Sequence, residues 1–431
     1  MRAIGVALLG LGNVGSGVVK LLEDNAEGIA ARIGGRIEVR RIVVREVDKA
    51  RLVEVDRALV STDVAAALAD PEVRIVVELI GGLEPARGYV AEAIARGKHV
   101  VTANKALLAE HGEEIFEAAE QRGVDIFYEA SVGGGVPIVR ALRDGLASDR
   151  ISELCAIVNG TSNYILTRMR DEGRPFAEIL AEAQAAGYAE ADPALDVDGW
   201  DAAHKLCILT SLCFGVKTRV DQILVDGLRD LTPLDFAHAQ RLGYAIKPLA
   251  SARDHGDSVE MRVHPTLIPS RWLLAAVDGV HNAVYVSSQA LGGSLYYGRG
   301  AGMMATAVAV VSDVIEVARD ILGAAASGLP LRLRIRNWQN RPIRPPAELT
   351  ARFYLRLDVA PGPGVLGRID AVLGRHGIAV RDVTQVPGAG AAVTLVLTTE
   401  QATEGAMAAA RRELGALEVV LGAPRLLRIV D

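Results

Sequence analysis

The chain has 431 residues, enough for two or three domains with cores of their own. Its 53 acidic and 47 basic residues give a formal charge of −6, and no basic block or aromatic-interleaved Arg/Lys patch appears, which argues against a nucleic-acid partner. No apolar run reaches the roughly 18 residues of a membrane span; the best candidate, from Met303, is interrupted by Asp313 and Glu316.

The first strand is entered at once with Ile4-Gly5-Val6, without a leader pattern, and Cys155, Cys207 and Cys213 form neither a disulfide framework nor a metal pattern. The expected setting is soluble, reducing and cytoplasmic, with no membrane partner. Residues 4–9 are apolar and lead into Gly10-Leu11-Gly12-Asn13-Val14-Gly15, followed by an amphipathic pattern through Leu22. A G-x-G-x-x-G between a strand and a helix predicts a dinucleotide site. Only glycine lets the backbone turn tightly and approach a pyrophosphate, which then sits on the helix N-terminus.

The second predicted strand, 37–44, ends at Arg45 instead of the acid that would bind a free ribose diol. Arg45, with Lys49 and Arg51 near, can hold a 2′-phosphate, which favours NADP(H); Glu46 keeps NAD(H) open, and a plain surface Arg fits the pattern equally well. Further strands are predicted at 75–79 and 99–102, separated by a helix over 85–96. In open parallel sheets the ligand lies outside the carboxyl ends of the strands. Gly81-Gly82 and Thr102-Ala103-Asn104-Lys105 therefore fall on the cofactor side.

Residues 127–137 read as a strand breaking into a Gly-rich loop able to bring several carbonyls to one point, and Asn159–Tyr164 as a turn opening a helix. The stretch GYAEADPALDVDGWDAAHK (187–205) follows, in which Glu190, Asp192, Asp196, Asp198 and Asp201, with Glu182 upstream, crowd towards His204 and Lys205. Asp198-Gly199 reads as a helix start, so Asp201 and Lys205 share a helix face. Only seven of the 47 basic residues are Lys. Lys can release a proton where Arg cannot, which singles out Lys105 and Lys205 as acid/base candidates. A solvated acidic loop followed by an ordinary i,i+4 pair also satisfies the local pattern. His204 and the three cysteines read as packed core residues. Gly298–Gly302 is a second Gly-rich helix start, ahead of a helix predicted over 306–322.

Taken together, GLGNVG (10–15), TANKA (102–106), EASVGGGVPI (129–138), NGTSNYIL (159–166), the acidic stretch (187–205) and GRGAG (298–302) resemble homoserine dehydrogenase over about the first 325 residues. The resemblance implies reversible hydride transfer between L-homoserine and L-aspartate 4-semialdehyde with NADP(H) or NAD(H), in a homodimer or homotetramer. It implies Lys205 as the acid/base, Glu190, Asp201 and Asp196 as substrate ligands, and Lys105 as a contact to cofactor and substrate. Asn13, Val14, Gly187 and Gly302 match cofactor contacts, and Glu129 with the carbonyls of Val132, Gly134 and Val136 matches a loop for Na+ or K+. Met303-Met304-Ala305 departs from the small residue and Pro expected there.

After a composition break at 337–346, the pattern is strand (353–359), helix (365–376), strand (378–385), strand (392–398), helix (401–414) and strand (417–421). This βαββαβ order, with Pro363-Gly364-Val365-Leu366, resembles an ACT domain and implies feedback control by L-threonine, although Pro361 replaces the acid often found before the turn. The expected fold class is α/β. A Rossmann-type doubly wound domain (1–130, completed by a helix at about 302–325) is followed by an α+β catalytic and dimerisation domain (131–301). A linker (326–349) then leads to a ferredoxin-like ACT domain (350–431). Two other readings stay open: another NAD(P)-dependent amino-acid dehydrogenase, and a non-catalytic nucleotide or amino-acid sensor.

Overall fold

The computed structural model describes residues 2–327, 341–388 and 392–430. Part of the expected linker, positions 328–340, lies outside these. The chain forms two compact units: one holds the described residues of 1–160, 204–220 and 280–340, the other those of 161–203, 221–279 and 341–431. The stretch 131–301, expected as one domain, is thus divided between them.

In the first unit, β1 (Ala3–Leu9), β2 (Arg36–Val43), β3 (Val60–Ser61), β4 (Val73–Glu78), β5 (His99–Thr102) and β6 (Ile126–Phe127) form a sheet in the order β3-β2-β1-β4-β5-β6. Every pairing is parallel. Its central strands read as near-continuous apolar runs because helices cover both faces. Ile4, Val6, Leu8, Ile75 and Val77 share one core with Val310, Val314 and Val317 of the Met303–Ser327 helix. That helix meets the Asn13–Asp24 helix at Gly17, where a Cβ would stand 2.9 Å from the Ala307 Cβ and 3.0 Å from the Met303 carbonyl oxygen. Strand order reverses between β1 and β4, the switch point at which such sheets bind nucleotides. The same unit carries β7 (Ile151–Ile157) antiparallel to His281–Ser288, which pairs in turn with Gly292–Arg299.

The second unit is built on a long antiparallel pair, Tyr244–Asp254 with Val259–Pro269. Its C-terminal βαββαβ run comprises Thr350–Val359, Val365–Arg375, Val380–Pro387, Val393–Thr399, Glu404–Gly415 and Arg425–Ile429. The strands lie in the spatial order fourth, first, third, second. This sheet does not stand apart: its fourth strand pairs parallel with Val259–Pro269 through Thr266 with Arg428 and Leu267 with Ile429. Tyr354, Val396, Leu427 and Ile429 share a core with Ile165, Met169, Ile179 and Phe236. The last strand lies at 425–429 and not at the expected 417–421. It carries two arginines that are buried beside acidic partners: Arg425 with Asp230, and Arg428 with Asp226 and Glu404. Among the described residues no helix is long and apolar enough to cross a membrane.

Candidate active site

The nucleotide loop has a separate physical reason for each glycine. Gly10 adopts φ +106°, a conformation open to glycine, and its N–H donates to the Val43 carbonyl at 2.9 Å. At Gly15 a Cβ would come within 2.3 Å of the Gly10 carbonyl oxygen, so the helix could not approach the loop. Gly12 has nothing within 4 Å of where its Cβ would be, and Gly12 and Asn13 are exposed at the helix start, with Val14 half-buried behind them. This open backbone ending a helix suits a pyrophosphate. Arg45 and Lys49 are exposed beyond β2, whereas Arg51 is tied to the carbonyls of Leu11 and Glu46. Gly302 has φ +121° and immediately precedes the Met303–Ser327 helix.

At the carboxyl ends of β4 and β5, the sequence had not revealed the part played by Glu78. Its side chain is fully buried, with one carboxylate oxygen accepting from the N–H groups of Ile80 (2.8 Å) and Gly81 (3.1 Å) and the other from the Thr102 hydroxyl (2.7 Å). Thr102 Oγ1 also accepts from the Asn104 N–H at 2.9 Å. Asn104 Oδ1 caps the Lys105–Arg122 helix through the Leu107 N–H, and its Nδ2 donates to the Gly82 carbonyl at 2.7 Å. Lys105, half-buried, is the first residue of that helix. An acid closing the apolar run Ile75-Val76-Val77 was the available signal.

The acidic stretch is hung from the turn that precedes it. Thr161 Oγ1 donates to the Tyr188 carbonyl at 2.8 Å and Ser162 Oγ to the Asp196 carbonyl at 2.9 Å, while Gln184 Nε2 reaches the carbonyls of Glu190 and Ala191. Gly187 has φ +76° and follows the Phe176–Ala185 helix. Glu190 and Asp192 are exposed, Asp196 is half-buried in the short Ala194–Val197 helix, and Asp201 is 3% exposed. Two of the crowded acids are engaged elsewhere: Glu182 with Arg168 and Arg174, and Asp198 in a two-point pair with Arg229 at 2.5 and 3.0 Å. Asp201 and Lys205 stand four apart in the Trp200–Phe214 helix. The Lys205 ammonium is half-buried and donates to the Val158 carbonyl at 2.6 Å, at the end of β7. His204 faces Glu110 at 3.7 Å, and burial holds the Cys213 thiol well above its usual range.

In the Gly-rich loop, both carboxylate oxygens of Glu129 accept backbone N–H groups, from Val139 and Arg140, each at 2.8 Å. The Val136 carbonyl accepts from Ile138 at 2.7 Å. Gly134 has φ +53°, and a Cβ there would lie 2.3 Å from the Gly300 carbonyl oxygen, so the loop packs against 299–301 backbone to backbone. Val132 is buried beside it. The Glu129 N–H donates to Asp313 at 2.8 Å. Burial pushes the Asp313 carboxyl up to about 8, with Arg140 and Arg143 pulling the other way. Each of these oxygens keeps a lone pair with which it could share a cation.

A separate cavity of about 280 Å³ opens in the C-terminal βαββαβ run, lined by Val359–Gly362, Gly364–Leu366, Gln385, Val393 and Leu395. Among the described lining residues, Gln385 is the one with a side-chain hydrogen-bonding group.

A family model described as homoserine dehydrogenase matches residues 137–315, and one described as homoserine dehydrogenase, NAD binding domain, matches 10–129. Among curated proteins, the homoserine dehydrogenase of Synechocystis sp. is 43% identical over 431 residues, 99% of each chain. That of Pseudomonas aeruginosa is 44% identical over 425 residues, 98% of each chain. Among solved structures, a homoserine dehydrogenase from Thiobacillus denitrificans matches with a TM-score of 0.93 at 45% identity, covering 100% of this chain and 99% of that one. The S. aureus enzyme matches with a TM-score of 0.78 at 32% identity, over 100% of this chain and 99% of its own.

Proposed function

Since this chain belongs to the homoserine dehydrogenase family of NAD(P)-dependent oxidoreductases, we propose that it interconverts L-aspartate 4-semialdehyde and L-homoserine, with NADP(H) as the favoured cofactor. The nicotinamide, when bound, supplies or accepts the hydride. Reduction of the aldehyde builds negative charge on its oxygen. The Lys205 ammonium gives that oxygen its proton and, in the reverse direction, the neutral Lys205 amine takes the proton from the alcohol. Glu190, Asp201 and Asp196 balance the ammonium of the amino-acid substrate, and Lys105 contacts cofactor and substrate. Gly10, Gly12, Asn13, Val14 and Gly15 hold the pyrophosphate, with Thr102, Gly187 and Gly302 as further contacts. Arg45 takes the 2′-phosphate, a role supported by its exposure just past β2. The observation that carries the reading is Lys205: a half-buried ammonium that donates to the Val158 carbonyl, in a helix whose first turn contains the buried Asp201.

Three finer assignments go with it. A Na+ or K+ ion binds the carbonyls of Val132, Gly134 and Val136 together with Glu129. Residues 350–431 act as an ACT domain whose effector is L-threonine, taken up in the cavity beside Gly364. The working form is a homodimer or homotetramer, to be read from its mass by light scattering. The deciding experiment follows NADPH oxidation with L-aspartate 4-semialdehyde, with and without L-threonine. Oxidation that threonine suppresses supports both parts; oxidation indifferent to threonine removes the effector, and absence of oxidation removes the reaction.

A further inference from the structure

Glu78 ends β4, the strand beside the switch point, and two loops depend on it. The first contains Gly81 and Gly82, both at φ +74°, with nothing within 4 Å of either Cβ position. A pair of left-handed glycines in open space has no packing of its own to hold it, and glycine gives up more conformational freedom than any other residue when fixed. What fixes it comes from below: Glu78 accepts from Ile80 and Gly81, and Asn104 Nδ2 donates to the Gly82 carbonyl. The second loop is the turn from Thr102 into Lys105. Its Thr102 hydroxyl donates to the other oxygen of the same carboxylate while accepting from the Asn104 N–H. One buried side chain therefore closes a ring of hydrogen bonds around both loops.

Burying a carboxylate is costly, and here that cost is offset by three hydrogen bonds, all from the two loops. The position itself suggests what the cost is for. Arg45, beyond β2, marks the adenosine half of the dinucleotide cleft, and the ends of β4 and β5 lie across the switch point from it. We propose that Glu78 is a positioning residue for the nicotinamide end of the cofactor. It holds residues 80–82 and 102–105 in one fixed relation, so that their backbone groups meet the nicotinamide carboxamide and Lys105 begins its helix at one place. The proposal rests on the dehydrogenase reading for the identity of the cofactor.

Two ligands separate this role from a purely structural one: NADPH, and 2′-phospho-ADP-ribose, the same dinucleotide without nicotinamide (NADH and ADP-ribose if the parent prefers NADH). Calorimetric titration of Glu78→Gln should show NADPH weakened about tenfold, the loss expected when a hydrogen bond to a charged group is degraded. Binding of 2′-phospho-ADP-ribose should be unchanged, and the KM for NADPH should rise with the titrated constant. Glu78→Ala should weaken NADPH further. Equal weakening of both ligands would reduce Glu78 to a support for the sheet, and unchanged NADPH binding in Glu78→Gln would remove its role altogether. A parent that binds both ligands yet never oxidises NADPH with the semialdehyde sinks the proposed reaction and leaves the Glu78 result standing.

Discussion

The two units use buried charge in different ways. In the first, buried carboxyl groups accept mainly from backbone: Glu78 from Ile80 and Gly81, Glu129 from Val139 and Arg140, and Asp313 from Glu129, with Arg140 3.4 Å from its other oxygen. Each fixes a loop at the rim of a sheet whose interior stays apolar. In the second, buried charges meet side chains of opposite sign. Arg428 forms a two-point pair with Glu404 at 2.9 Å and also meets Asp226; Asp235 meets Arg356 at 3.0 Å and the Tyr354 hydroxyl at 3.1 Å; Lys247 meets Asp278 at 2.7 Å. In the function proposed above, the backbone-capping acids shape the loops that meet ligands, whereas paired charges register one strand or loop against another. The 226–230 segment makes the second use concrete. Arg428 and Arg425 of the last strand hold it from one side, and it holds the acidic stretch from the other, through Leu228 N–H to the Val197 carbonyl at 2.9 Å and through Arg229 to Asp198.

Breaking a pair should therefore cost stability, and disturbing the nucleotide loop should separate fold from ligand. Arg428→Met strands Glu404 and should destabilise by about 3–5 kcal/mol in urea unfolding, with Arg428→Met/Glu404→Met recovering much of it. A single variant as stable as the parent would show that this charge pair registers nothing. Gly15→Ala must move the Gly10 carbonyl and should cost about 1–3 kcal/mol. Gly12→Ala meets open space at φ −86° and should unfold within about 0.5 kcal/mol of the parent while losing NADPH affinity in a titration. If both Gly variants lose stability alike, the open space at Gly12 is not a ligand's place.

Asp313 sharpens the contrast through pH. Burial holds its folded pKa at about 8, far above the usual carboxylate range, so the native state keeps the proton to higher pH. Its contribution to stability is complete below about 4 and is lost as pH rises towards 8. Denaturation midpoints at acid and alkaline pH should fall less across that range in Asp313→Asn than in the parent; parallel curves would contradict the burial argument. The smallest effect belongs to Asp198→Ala, which opens the partly exposed pair with Arg229. It should cost under about 1 kcal/mol and diminish as salt is added.

What could be read in the sequence follows the same division. GLGNVG was legible because a strand, a turn and a helix within two dozen residues set its context, and the positive φ of Gly10 and the contact of Gly15 with the Gly10 carbonyl are local. Glu78 was not: its partner Thr102 is brought beside it only by the pairing of β4 with β5. The last strand was misread because Arg425 and Arg428 look like surface residues until Asp230, Asp226 and Glu404 arrive from elsewhere in the chain. The acids of the 187–205 stretch could be counted, but not which of them Arg168, Arg174 and Arg229 would claim.

The central claim is that the ammonium of residue 205 moves the proton in this dehydrogenase. Steady-state turnover of Lys205→Ala with NADPH and L-aspartate 4-semialdehyde, set beside its NADPH dissociation constant, addresses it most directly. The account predicts kcat lower by about 10²–10⁴-fold with nucleotide binding retained. Parent-like turnover in the variant would contradict it.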